Sequence, residues 1–424
     1  MSPATVERAN PRAIPRNWVL ACGALIAIGV VAFLAGLVVD SETAWRAYHV
    51  NTIYYATLAQ GVLCLACAFV IIGARWTGPI RHVAASLSAW VPVTFVLVAL
   101  SWFGKEAIYT AWISGAPHGK EAWLNIPRLY ITDLAILGLL ALLSLRFLKL
   151  SFRPALHGLA EGMPTAARRM AERWTAGWRG VDEERAESEQ KLRVLAPIIC
   201  LLYAFGYTII GFDQVMSLSP TWYSNIFGWY FGWGGFLSGV AATTLISVLL
   251  RRSPGWDVEI TRPRMHDLGK MVFAFSIFWM YLFFSQYIVI WYANLPEETQ
   301  FIQARLGSLF VQDTWLFVQS QLEQPYVKLS LAVWFACWIV PFWVLLGQRP
   351  KRTPAILGSV AGLMLLGFWL ERNVLIWPSL VPDDGFAWLG PIQIGIAAGF
   401  FGAYVLVYLV FSRVFPTLPL PQRP

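Results

Sequence analysis

Four charged side chains interrupt stretches of the chain that are otherwise apolar. Asp133 lies about two turns inside one stretch and Asp213 near the end of another, while Glu371 and Arg372 stand together inside a third. A charge at the centre of a bilayer costs about 2.5–3.5 kcal/mol on insertion scales, so such residues usually face a cavity, a partner or a proton route. Carboxyl groups with donors nearby can relay protons or hold the carbonyl oxygens of a quinone. His49 lies just before a second apolar stretch, and Lys105 and Glu106 cap the outer end of a third. With Asp133 they form the candidate quinol set: His49, Lys105, Glu106 and Asp133. A proton-relay set is drawn from Asp133, Asp213, Glu371, Arg372, Gln286 and Tyr287, with His266, Asp267 and Lys270 at the start of the stretch that carries Gln286. Tyr281, Ser276 and Ser285 on that stretch would extend a path from His266 towards Glu371 and Arg372. Simpler roles compete: paired helix ends, or Asp267 as an ordinary helix cap. Residues one apart on a helix point in different directions, so Glu371 or Arg372 needs a further partner.

Other chemistries find little purchase. The five cysteines (Cys22, Cys64, Cys67, Cys200, Cys337) all fall in apolar stretches, which argues against a secreted disulfide framework. Cys64 and Cys67 have the C-x-x-C spacing but no second pair, and read as buried structural thiols. A membrane-embedded haem needs axial histidines within its helices. His49, His82, His118, His157 and His266 read as loop or helix-end residues, and there is no C-x-x-C-H site. Neither a Walker loop nor a dinucleotide fingerprint is present. The expectation is a chain with no metal site and no cofactor of its own.

The elements that must position these residues are membrane helices. Of the 424 residues, 57% are hydrophobic and 13% charged. Ten stretches are long enough to cross a bilayer: 18–39, 53–73, 83–103, 129–148, 194–214, 226–250, 268–292, 327–346, 354–376 and 388–412. They are too long and too evenly apolar for barrel strands. The sequence therefore predicts an all-α polytopic membrane protein of ten transmembrane helices. The natural division is two four-helix bundles, 53–214 and 226–376, with flanking helices 18–39 and 388–412.

Basic residues set the expected orientation. Of 32 Lys and Arg, only Arg46, Lys105, Lys120, Arg128, Arg305, Lys328 and Arg372 fall on one side, which becomes the outside. Both termini are then cytoplasmic. The formal charge of +8 reflects topology and contact with anionic lipid, with no need for nucleic acid. The first span reads as retained. The longest inner loop, 149–193, begins with an interfacial amphipathic segment presenting Arg168, Arg169 and Arg173 beside Met170, Trp174 and Trp178. Its acidic part, from Asp182 to Glu189, reads as a solvated connector. The outer loops 104–128 and 293–326 are aromatic and suit a surface covered by other subunits.

Three runs carry a family resemblance. The run Gly211 to Gly228 (GFDQVMSLSPTWYSNIFG) closely resembles the signature of the F-type membrane subunit of alternative complex III. The runs His266 to Phe275 (HDLGKMVFAF) and Phe284 to Thr299 (FSQYIVIWYANLPEET) are similar to it too, as are Pro341-Phe342, Lys351-Arg352 and Trp377-Pro378. The resemblance covers about residues 120–380. It implies a ten-helix member of the polysulfide-reductase-like membrane superfamily, built into a quinol:electron-acceptor oxidoreductase of a bacterial cytoplasmic (inner) membrane. The implied partners are a paralogous ten-helix subunit, an iron–sulfur subunit with a molybdopterin-enzyme-like fold, and c-type cytochromes carrying haem c. In that family quinol oxidation is usually assigned to the paralogue, which leaves the F-type subunit as scaffold and proton route.

Two alternatives remain. The chain itself would bind and oxidise quinol in its first bundle, or it would be a secondary transporter. Transporters favour helices broken at matching positions of both halves. Here Pro92 and Pro341 interrupt spans that do not correspond.

Overall fold

The computed structural model describes residues 15–156, 165–253, 255–308 and 319–415. Helix makes up 82% of it, and there is no strand among the described residues. Ten helices are long and apolar enough to cross a membrane: α1 Arg16–Val39, α2 Ser41–Ile71, α3 Ile80–Ile108, α4 Ile126–Leu156, α5 Val181–Leu218, α6 Phe227–Leu250, α7 Arg262–Ala293, α8 Val327–Val344, α9 Pro354–Leu380 and α10 Pro391–Val414. The chain is a multi-pass all-α membrane protein.

Packing follows polarity inside out. The most apolar helices, α1 and α10 with mean hydropathies of 2.7 and 2.2, are among the least buried and turn most of their surface outward. The helices α2 and α6 are buried over most of their length and pack on each other. Their sequences explain the choice. His49, Asn51, Thr52, Thr57 and Gln60 on α2, with Thr243, Thr244 and Ser247 on α6, are all buried, and lipid offers them no partner. The two axes approach closely because Gly61 lies against the Gly235 carbonyl and Gly239 against the backbone of Val62. Small residues at a crossing let helix backbones meet, which is the main source of attraction where both surroundings are apolar. Gly29 and Gly399 play the same part for α1 and α10, which run antiparallel. The start of α1 and the end of α10 therefore lie on one side, the terminal side; the other is the distal side.

Around the central pair, α5 packs on α2, α4 and α6, and α3 on α2 and α4. In the second half α9 packs on α6 and α8, and α7 on α6 and α8. The spans interrupted by proline deviate locally. A 3-10 turn at Ser88–Trp90 precedes Pro92 in α3, and a π turn at Phe335–Ile339 precedes Pro341 in α8.

Several expected boundaries move. The helix α2 starts at Ser41 and not at 53, because Asp40 caps it by accepting from the Thr43 N–H at 3.0 Å. That bond holds the Asp40 carboxyl below its usual range. His49 is therefore a buried mid-helix residue, one turn or more from any loop, and His82 is buried within Ile80–Leu87. The inner loop expected at 149–193 is largely helical. The helix α4 runs on to Leu156 and α5 begins at Val181. The acidic stretch is likewise not a solvated connector throughout: Glu184 is buried and accepts two bonds from Arg153, at 2.5 and 2.8 Å. Thr165–Trp174 forms the separate amphipathic helix, with Arg168, Arg169 and Arg173 exposed and Met170 and Trp174 packed inward. His157 and residues 309–318 of the expected outer platform lie outside the described residues.

Candidate functional site

Two polar clusters lie within the helical mass, one in each half. In the first, Pro127 starts α4 and Arg128 follows in its first turn. The Arg128 guanidinium donates two parallel bonds to Asp213, both 2.6 Å, and lies 4.0 Å over the Trp123 ring. This two-pronged geometry is the strongest ion-pair arrangement a side chain can make. It ties α4 to α5. Next to Asp213, Gln214 donates to Asp133 Oδ2 at 2.7 Å and accepts from the Tyr109 hydroxyl at 2.9 Å. The Gln214 carbonyl bonds His49 Nε2 at 2.8 Å. Asp133 faces Asp213 within hydrogen-bonding range. Its Oδ1 receives nothing else among the described residues.

So Asp133, Asp213 and His49 do meet. Lys105 and Glu106 do not join them: the Lys105 ammonium lies 4.1 Å over the Trp102 ring and Glu106 is exposed. Sequence reasoning missed Arg128, Gln214 and Tyr109, which supply most of the bonds. Gln214 stood beside Asp213 inside the 211–228 run, the one available signal. Arg128 is 85 residues from its partner.

The second cluster centres on Glu371 and Arg372, each 1% exposed. Arg372 donates to Glu371 Oε2 at 2.6 Å and to the Phe231 carbonyl at 3.1 Å, and sits 4.5 Å over the Phe231 ring. Adjacent residues do pair here, because the long guanidinium folds back, yet Arg372 still takes the further partner expected. Glu371 also meets the Tyr230 hydroxyl. Its Oε1 has no partner among the described residues.

Glu371 is also one of the residues that line a cavity of about 40 Å³, with Tyr230, Gln286, Arg305 and Ser330 and with apolar walls. The volume suits a few waters and falls far short of a quinone ring. Arg305 comes from the helix Pro296–Leu306 on the distal side. It donates to the carbonyls of Phe301 at 2.8 Å and Leu375 at 2.7 Å, and to Ser379 Oγ at 2.8 Å. Burial loosens its proton to about 9, which leaves it cationic at neutral pH. Its Nε, like Glu371 Oε1, has no partner among the described residues.

The remaining relay residues divide. Gln286 lines the cavity and accepts from Ser224 at 3.2 Å. Tyr287 is half-buried on the same helix, and Ser276 is spent on the Phe273 carbonyl. Tyr281 is exposed, and Ser285 is half-buried with its hydroxyl donating to the Tyr281 carbonyl at 2.8 Å. Lys270 pairs with Asp267 at 2.6 Å on the terminal side, beside His266. Asp267 does not cap α7: Thr261 does, accepting from the Arg264 N–H at 3.5 Å. The cysteines are all free. Cys64 does have a thiol partner, Cys200, at 3.6 Å across α2 and α5.

No family model matches the chain, and no curated protein matches it.

Proposed function

We propose that this chain is an integral membrane subunit of a quinol:cytochrome c or related oxidoreductase complex, similar to the F-type subunit of alternative complex III. In this reading it binds no cofactor of its own, serves as scaffold and carries a proton route. The observation that carries the reading is the place of the 211–228 run. Its first residues, Asp213 and Gln214, hold the first cluster. Its Ser219 bonds Ser379 at 2.8 Å, and Ser379 accepts from Arg305. Its Trp222 stacks 3.6 Å from Phe301 over the second cavity. One family-like segment therefore couples both acid clusters on the distal side. Glu371, a residue of the cavity lining with one carboxylate oxygen unpartnered among the described residues, is the group best placed to exchange a proton.

Under this reading the terminal side faces the cytoplasm of a bacterial inner membrane. The partners are a paralogous ten-helix subunit that oxidises quinol, an iron–sulfur subunit and c-type cytochromes. The alternative of a quinol site in this chain is disfavoured because His49 and Asp133 already bond Gln214 and are buried. Gentle purification of the tagged chain should bring down haem c and iron–sulfur proteins. A solitary chain that takes up substrate in liposomes would replace this reading with the transporter. A cysteine introduced at Glu187 should resist an impermeant thiol reagent added to intact cells; rapid labelling would invert the orientation.

A further inference from the structure

Three of the five cysteines converge where α2 packs on α5. The Cys64 thiol lies 3.6 Å from Cys200 Sγ, and the Cys200 thiol points back at the Cys64 carbonyl at 3.9 Å. Cys67, one turn further along α2 and fully buried, is within hydrogen-bonding reach of the same Cys200 thiol. The scaffold and proton roles use none of these groups.

The register of the two helices brings the thiols together. The helix α2 runs from the distal to the terminal side, and α5 runs back. Near the distal side His49 Nε2 bonds the Gln214 carbonyl at 2.8 Å. About two turns on, the Tyr207 hydroxyl donates to the Ala56 carbonyl at 2.9 Å. About two further turns bring Cys64 against Cys200. One antiparallel seam thus carries polar contacts at regular steps, and at its third step the contact is between two thiols. An S–H group is a weak donor and sulfur a weak acceptor, so as a hydrogen bond this step holds the least. As a covalent bond it would hold the most, joining residues 136 apart in sequence.

Access decides which oxidant could close it. Cys64 and Cys200 are half-buried, and Ile198 and Leu201 beside Cys200 are 48% and 60% exposed on a membrane span. The surroundings at that depth are lipid and hold no water, which favours a lipid-soluble oxidant. A quinone takes up two electrons together with two protons, so the step leaves no charge in the apolar layer, where a charge is costly. We propose that Cys64 and Cys200 form a disulfide by reducing a lipid-soluble quinone. Both S–H bonds break and one S–S bond forms. The two thiols together give up two electrons and two protons, and the quinone takes all four to become quinol. The disulfide fixes the α2–α5 seam in membranes whose quinone is oxidised. The inference is independent of the electron-transfer reading, because any chain in a quinone-containing bilayer meets this oxidant.

The test uses the purified full chain with whatever partners accompany it, reduced and placed in nanodiscs. It is then exposed to a fully substituted benzoquinone with a short alkyl tail, whose ring has no free position for thiol addition. Acid quenching, alkylation of the remaining thiols and mass spectrometry count the free cysteines and locate any cross-link. Two of the five thiols should disappear, a cross-linked peptide pair should join Cys64 to Cys200, and one quinol should form per cross-link. A dithiol reductant should restore all five. The heat-stability midpoint should be higher for the oxidised chain than for the reduced one, because a bond between distant residues restricts the unfolded chain. Cys200→Ala should keep its remaining thiols free and show no such shift. Five free thiols after quinone treatment would overturn the proposal. So would a cross-link from Cys67 in place of Cys64, or quinone attached to a thiol without a cross-link. These three outcomes are read on the wild-type chain, so they stand even if Cys200→Ala fails to fold.

Discussion

The two acid–base clusters solve one problem in opposite ways. In the first half, Asp213 and Arg128 come from different helices and close on each other with two 2.6 Å bonds, while Gln214 and Tyr109 take up the second carboxyl. That is a cross-link. In the second half, Glu371 and Arg372 are neighbours on α9, so the bond between them joins no two helices, and α9 is held to α6 by the single Arg372 bond to the Phe231 carbonyl and by Glu371 against Tyr230. One carboxylate oxygen there has no partner among the described residues, and Glu371 and Arg305 line the same cavity. Charges that cross-link helices are costly to remove for structural reasons. A carboxylate paired along its own helix, with one oxygen unbonded, can change protonation with less loss to the fold.

That contrast is sharpest under substitution. Arg128→Ala strands the buried Asp213 carboxylate and cuts the α4–α5 tie, at a cost of about 3 kcal/mol or more. The chain should be lost from membranes, read as assembled yield and as midpoint in a heat-stability assay. Normal yield would remove the cross-link role. Next comes the central crossing, which both halves share. Gly239→Leu drives a side chain into the α2 backbone at Val62 and should cost about 2–3 kcal/mol. It should lower heat stability of the whole chain and not of one half alone, as seen by limited proteolysis in each half. The smallest effect belongs to Asp133→Asn. An amide oxygen still accepts from Gln214, so the loss should stay below about 1.5 kcal/mol. Apparent quinol affinity should not move. A clear change in affinity with normal assembly would place a quinol site in this chain after all.

The fold was legible because lipid imposes its own length scale. All ten stretches stand where hydropathy put their centres. Helix ends were not legible, since hydropathy measures the oily layer and not the helix. The start of α2 at Ser41 is polar because protein, not lipid, surrounds it, and the first turns of α5 hide Glu184 and Ser188 on one face of an acidic segment. Of the clusters, the charges were visible as interruptions of apolar runs, and their partners were not. Arg128 looked like a loop cation, and Arg305 like one more outer-side arginine, because bonds across 85 or 70 residues leave no local trace.

The most direct test of the contrast measures assembled yield and quinol-driven proton release on one preparation of Glu371→Gln. The Gln side chain keeps the shape and still accepts from Arg372, so yield should match the wild type. Proton release per turnover, or turnover itself, should fall at least about a hundredfold, the lower scale of a lost proton-transfer group. Full turnover with full proton release would contradict the proton role of Glu371. Loss of the chain from the membrane would contradict the claim that its pair with Arg372 carries no structural burden.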